Sequence, residues 1–262
     1  MKYVVFLIII FFSFKVFSQT TIRAVLRDSV RLQASMYFGK DHLKNDYYAS
    51  SNVFKKNGTD GLFQYQNITL GILKKVCFTS PLQLLLFYED FNSVVLLDNQ
   101  LNETHRVDGN VFETPIKIEA FGLSGQNNIW LYDGFSQKIS LYNLKTRAYK
   151  NISTPLNSKI KAYFSDFNTF YWIDEANNLF SISIFGKIKM LGFVDAFDAV
   201  QIVDDKTVIL LKNNQLFYRN MVLQQEFEIE VVEKRLDNFF YSNEILSIFT
   251  HNRVSNYKID LP

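Results

Sequence analysis

NNIWLYDGFSQKISLYNLKTRAYKNIS, residues Asn127 to Ser153, is the stretch on which the reading of the whole chain turns. Ile129, Trp130, Leu131 and Tyr132 form a short run with strand character, and Asp133 to Gln137 supply residues that cap their own backbone or tolerate positive φ. In the return segment Ile139, Leu141 and Asn143 share one face while Ser140 and Tyr142 share the other. A charged third segment follows. The pattern predicts a β-meander rather than a helix, because its period is two.

The same hairpin recurs along the chain. Counterparts run from Tyr47 to Lys55, Leu85 to Leu97, Phe170 to Ile182, Val208 to Tyr218 and Leu246 to Tyr257. Their return strands begin at Val53, Val94, Ile139, Leu179, Leu216 and Val254, a spacing of roughly 40 residues that falls in the range of propeller blades. A candidate strand precedes each hairpin (Leu32 to Phe38, Lys75 to Phe78, Ile116 to Phe121, Ile160 to Phe164, Ala199 to Val203, Asn238 to Tyr241), and a polar strand follows all but the last. The expected fold is all-β, a single β-propeller of about six four-stranded blades, with seven and then five blades as alternatives. A β-sandwich fits less well, since its Greek-key connections give no fixed period. The last repeat lacks a fourth strand, and Thr21 to Leu26 alternates correctly, so the N-terminal strand is expected to complete the last blade and close the ring. In Glu226 to Val231 three carboxylates alternate with three apolar residues, which reads as a solvated edge strand.

At the N-terminus Lys2 precedes the apolar run YVVFLIIIFFSF, and Val16-Phe17-Ser18 precedes Gln19. Basic start, short apolar run and small closing residue predict a signal peptide over residues 1–18, cleaved to leave a β-propeller domain over residues 19–262. The run is shorter than the roughly 20 residues of a membrane span, and Lys15 interrupts it. No further apolar run is long enough, so no transmembrane segment is expected after cleavage. A net charge of +2 gives no field that selects nucleic acid. Only 4 prolines and 10 glycines stand against 26 phenylalanines and 14 tyrosines, a composition that favours strands. The single cysteine, Cys77, excludes an internal disulfide, and its alternating surroundings predict a buried thiol acting as a small hydrophobe.

The chain resembles the β-propeller repeat proteins, and more narrowly exported propeller-like proteins of Gram-negative bacteria. The resemblance rests on the N-terminal segment ending Phe17-Ser18-Gln19 and on LLLFYEDFNSVVLLDNQLN (residues 84–102) and FNTFYWIDEANNLF (residues 167–180). It implies an extracytoplasmic location and a binding or scaffolding role, and it brings no catalytic residues. The Gly-His and Trp-Asp signatures of WD40 repeats are missing.

Motifs for chemistry are sparse. His42, His105 and His251 are dispersed, which argues against a metal centre, and no nucleophile elbow, phosphate loop or His-Glu-x-x-His occurs. Asn57 to Gly61 and Asp108 to Asn110 lack the ligand set of a calcium loop. No cofactor is expected. Carboxylates at strand ends (Glu89-Asp90, Asp133, Asp174-Glu175, Asp204-Asp205) are the remaining enzymatic resource, because glycosidases use such pairs, although turn preference alone accounts for them. The candidate binding residues for one propeller rim are Tyr88, Asp90, Tyr132, Asp133, Trp172 and Asp174. The expected function is a non-enzymatic propeller, periplasmic or outer-membrane-associated or secreted, that binds a protein partner at the cell envelope as a monomer or as a subunit of a larger assembly. The alternative is a carbohydrate-binding protein or glycosidase on the same rim. An enzyme should show a central pocket with two carboxylates within about 10 Å, and a binding module a broad apolar rim without them.

Overall fold

A computed structural model describes residues 21–262. The expected signal peptide, residues 1–18, lies outside the described residues. The chain opens with β1 (Ile22–Arg23) and β2 (Val25–Arg31) and then runs through six antiparallel meanders. The first blade holds β3 (Met36–Lys40), β4 (Asp46–Ser50), β5 (Val53–Gly58) and β6 (Gly61–Tyr65); the second holds β7 (Leu73–Ser80), β8 (Gln83–Tyr88), β9 (Ser93–Asp98) and β10 (Glu103–Asp108). The third is built of β11 (Ile118–Leu123), β12 (Asn128–Asp133), β13 (Lys138–Asn143) and β14 (Tyr149–Asn151), and the fourth of β15 (Ile160–Ser165), β16 (Thr169–Asp174), β17 (Asn178–Ser183) and β18 (Ile188–Phe193). The fifth has β19 (Ala199–Ile202), β20 (Thr207–Lys212), β21 (Gln215–Asn220) and β22 (Gln225–Glu230), and the sixth β23 (Asn238–Ser242), β24 (Ile245–Thr250) and β25 (Arg253–Lys258). The protein is a six-bladed β-propeller. Each return strand begins within one residue of its position in the sequence reading.

Packing explains why the second strand of each blade is almost continuously apolar. A strand with both faces buried needs hydrophobic residues at every position. In β8, Leu84, Leu86 and Tyr88 pack with Tyr47 and Phe54 of the first blade, whereas Leu85 and Phe87 pack with Phe121, Ile129 and Leu131 of the third. The alternation repeats at the next interfaces: Trp130 and Tyr132 meet Phe170 and Trp172, and Tyr171 and Ile173 meet Val208 and Leu210. Every interface between neighbouring blades therefore has its own cluster. Each buried side chain of this size contributes about 1.5–3 kcal/mol relative to exposure.

The smallest cluster, Tyr37, Tyr48, Phe249 and Val254, lies between the sixth blade and the first. Here the ring closes. β2 pairs antiparallel with β25 from Val25–Lys258 to Arg31–Arg253 and supplies the missing fourth strand. A polar chain crosses the blade with it, from buried Ser247, which donates to Asn256 Oδ1 at 2.7 Å, to exposed Asp28, whose Oδ1 accepts from Asn256 Nδ2 at 2.6 Å.

Closure by an N-terminal strand follows the sequence reading, but the residues that achieve it are displaced. Ile22–Arg23, inside the stretch assigned to the last blade, instead pairs parallel with Ile229–Glu230 on the fifth. Leu32, expected to begin the first blade, belongs to the connection before β3, which starts at Met36. The β1 pairing also corrects the picture of β22 as a bare edge: Glu226 forms ion pairs with Lys212 and Arg219, and Glu228 accepts a hydrogen bond from Gln215. Asn256→Ala removes the middle of the Asp28–Ser247 chain and leaves the buried Ser247 hydroxyl without its partner. It is expected to lower the unfolding free energy in urea by about 1–3 kcal/mol without changing the far-ultraviolet circular dichroism.

Candidate functional site

Strand direction sorts the loops onto two rims. Turns between second and third strands, with connections between blades, lie at one end of the ring; turns between first and second strands lie at the other. The first end carries the six candidate rim residues, and packing withdraws five of them. Tyr88, Tyr132 and Trp172 are buried in inter-blade clusters. Buried Asp133 caps its own turn, accepting from the backbone N–H of Lys117, Phe135 and Ser136 and from the Ser136 hydroxyl. Asp174, also buried, accepts from the backbone and side chain of Asn178. Their exposure on a binding rim is corrected accordingly; Asp90 alone stays exposed. Asp204 and Asp205, in the turn between β19 and β20, stand on the opposite rim from the other carboxylates.

What this rim does expose is an apolar row. Ile68, Ile72, Phe91, Val111 and Phe135 are each at least half exposed, and all lie in the loops of the first three blades at this end. Hydrogen bonds tie the loops that carry these residues to neighbouring segments. Ile72 N donates to Asp90 beside Phe91, Asn110 Nδ2 donates to the Phe91 carbonyl, and Gly134 N, one residue before Phe135, donates to the Lys117 carbonyl. Ion pairs Lys74–Glu89 and Lys117–Glu119 flank it. Both phenylalanines were visible within turn sequences, Glu-Asp-Phe-Asn-Ser and Asp-Gly-Phe-Ser-Gln. A large aromatic inside a polar turn has no strand face to occupy, and that signal marks them.

The inner strands β3, β7, β11, β15, β19 and β23 surround a central channel holding a cavity of about 350 Å³. Aromatic side chains dominate its wall: Phe78, Phe121, Tyr163, Phe164, Phe240 and Tyr241. Glycine sets how closely opposite walls approach. Phe78 and Phe240 meet with ring centroids 5.0 Å apart in front of Gly39, where a Cβ would stand 2.5 Å from Phe240 and where φ is +142°. A Cβ on Gly122 would clash with Ser165, and Thr79 Oγ1 reaches past it to donate to the Ser165 carbonyl at 3.2 Å. Gln201 binds β19 to β23, its amide exchanging two 2.7 Å hydrogen bonds with the backbone of Tyr241.

Of the two lysines that line this cavity, Lys40 is paired with Asp46 and Lys75 faces an aromatic ring. Lys75 Nζ lies 3.5 Å from the centroid of the Tyr163 ring, and among the described residues it forms no ion pair. The Lys75 side chain is exposed to water in the channel, while the walls of the ring crowd around its ammonium end. Desolvation pushes its pKa down to about 8, against a smaller opposing effect of Cys77. Burial also raises the Tyr163 hydroxyl above its ordinary range. Cys77, half-buried, lines the same cavity with its Sγ 3.4 Å from Thr79 Oγ1. Asp41 is the cavity's single carboxylate, and it is committed to the N–H groups of Leu43 and Asn45, the Asn45 amide and the Tyr47 hydroxyl. No second carboxylate converges on it in the cavity wall. Among the described residues, no group of three His, Cys, Asp or Glu side chains is arranged to hold a metal ion.

No protein-family model and no curated protein sequence matches the chain. Solved structures share the fold. Virginiamycin B lyase from Staphylococcus aureus superposes with a TM-score of 0.57 at 8% identity, covering 88% of this chain and 98% of that one. BamB from Moraxella catarrhalis gives 0.53 at 10% identity over 90% and 99% of the two chains. A Bacteroides thetaiotaomicron structural genomics protein of unknown function gives 0.58 at 11% identity over 92% and 75%. At such identities the likeness extends to the propeller and no further.

The lowered Lys75 pKa has a signed effect on stability. Below about pH 8 both folded and unfolded chains carry the ammonium, and the folded state bears the full cost of desolvating it. Between about pH 8 and 10.4 the unfolded chain binds more protons, so stability rises with pH. Lys75→Met is therefore expected to be more stable than the parent in urea at pH 7, and its advantage to shrink by about pH 9.5.

Proposed function

We propose that this propeller is a non-enzymatic binding module that docks a protein partner on the rim formed by its first three blades. The observation that carries the reading is the row Ile68, Ile72, Phe91, Val111 and Phe135, exposed on loops that hydrogen bonds hold in place. Large side chains on pre-ordered loops lose little conformational entropy on binding, and several exposed apolar side chains at one end of a fold mark a candidate interaction site. The charges beside the row are mixed in sign, Glu89 and Glu119 being paired with Lys74 and Lys117, so no basic cluster of the kind that binds anionic lipid accompanies it. A glycosidase finds less support, since the central cavity offers one carboxylate and that group is engaged.

The N-terminal run of residues 2–14 adds that docking takes place after export, at the cell envelope. The likeness to BamB is compatible with an envelope role and supplies no partner by itself.

Site-specific photocrosslinking tests the rim. A benzophenone amino acid replacing Phe91 or Phe135 is expected to give one common protein adduct in envelope fractions, and the same probe at Val222, exposed on the opposite rim, none. Phe135→Asp should reduce recovery of that adduct from the Phe91 position by about tenfold, the loss expected when a charge enters an apolar contact. Equal labelling at all three positions, or no adduct from either rim position, would contradict the reading.

A further inference from the structure

The channel has a composition that rim docking leaves unexplained. A water-accessible lysine on an inner strand lines an aromatic-walled channel, faces a tyrosine ring and, among the described residues, pairs with no carboxylate. A cation–π contact at this distance returns part of the hydration the ammonium gives up, and an anion would return more. A second cavity of about 290 Å³ shares Lys75, Tyr163, Phe164 and Gln201 with the first and extends to Lys161, Phe197 and Asp198 at the starts of β15 and β19. Its two lysines outweigh its one carboxylate, and the Asp198 carboxylate already accepts the Asn213 N–H. This approach therefore favours an incoming negative charge.

We propose that the channel is a binding site for a small apolar monocarboxylate, its carboxylate paired with Lys75 and its body packed between Phe121, Phe164 and Phe240. The cavity stands at the small end of ligand pockets, too small for a peptide or an oligosaccharide. Charge restricts the head group. The other lysine of this cavity's wall, Lys40, is paired with Asp46 at 3.3 Å, so within the cavity only Lys75 is left to meet a carboxylate. Hydrogen bonding restricts the body. Both ends of the Gln201 amide serve Tyr241 and the Thr79 hydroxyl serves Ser165, so the walls nearest Lys75 offer aromatic faces suited to an aryl or short alkyl group.

The charged and titratable groups around Lys75 are Cys77 on its own strand, Tyr163 and Lys161 from β15, and Asp198 before β19; Tyr241 from β23, Lys40 at the end of β3 and Asp41 and His42 after it line the far part of the channel. An anion on the ammonium should bind more weakly as pH rises above about 8, where Lys75 loses its proton.

Cys77, the chain's sole thiol, reports occupancy, since it lines the cavity. The probes are trans-cinnamate and its uncharged isostere cinnamamide, measured on the full folded chain by calorimetry and by the rate of N-ethylmaleimide labelling of Cys77. Cinnamate is expected to bind about tenfold or more tightly than the amide at pH 7, to slow labelling, and to lose that preference by about pH 9.5. Lys75→Met, which removes a desolvated charge and should fold at least as well, is expected to bind acid and amide alike; Lys75→Arg should keep the preference. The proposal is overturned by equal binding of the two probes to the parent, by a preference that survives Lys75→Met, or by cinnamate leaving both calorimetry and labelling unchanged up to about 10 mM, the range of the weakest specific ligands.

Discussion

Pairing of β2 with β25 is the constraint on which the rest of the structure depends. The other blades are meanders of consecutive strands, each stabilised by neighbours on both sides. The sixth blade is built from the two ends of the chain and shares the smallest apolar cluster with the first. Polar groups take a larger part at this seam. Tyr37 donates to Asp46, Asn238 donates to the Tyr37 carbonyl, and burial raises the Asp46 carboxyl above its ordinary pKa against the pull of Lys40. Desolvated polar groups stabilise only while they remain paired, so opening the seam forfeits more than its apolar area suggests.

Closure also sets the channel. With six inner strands held around one axis, their side chains compete for the space in the middle, and Gly39 and Gly122 are where a wall recedes to let flanking blades meet. The same geometry traps Lys75. On an open sheet its ammonium would swing into water; on an inner strand it lies against Tyr163. Rim and channel are thus two products of one closed ring. The loops of the first three blades present apolar side chains outward, and the strands beneath them enclose a charge.

Much of this was legible in the sequence, and the failures have identifiable physical causes. The repeated hairpins fixed blade number and strand order, because a period of two and turn chemistry are local properties. Partner choice is not. Thr21 to Leu26 alternates without a break, so nothing local shows that Ile22 pairs with Ile229 while Leu26 pairs with Tyr257. Tyr88, Tyr132 and Trp172 were expected on the rim because they end the second strands, but those strands pack on both faces to their last turn. Asp133 and Asp174 followed the ordinary preference for turns. The tandem Lys74-Lys75 was not legible: β7 is irregular between Leu73 and Lys75, so strict alternation does not say which lysine faces the channel, and that needed the ring.

A register-specific crosslink measures closure most directly. In a Cys77→Ser background, cysteines replacing Ser29 and Ser255, which face each other with hydroxyls 3.2 Å apart, should oxidise to a disulfide within one chain. The linked monomer should run faster than its reduced form on a denaturing gel and gain about 2–4 kcal/mol of unfolding free energy. A slipped pair at Asp28 and Ser255 should link poorly, since adjacent strand positions point to opposite faces. Efficient linking of the slipped pair, or dimers in place of a linked monomer, would contradict a ring closed by β2 within a single chain.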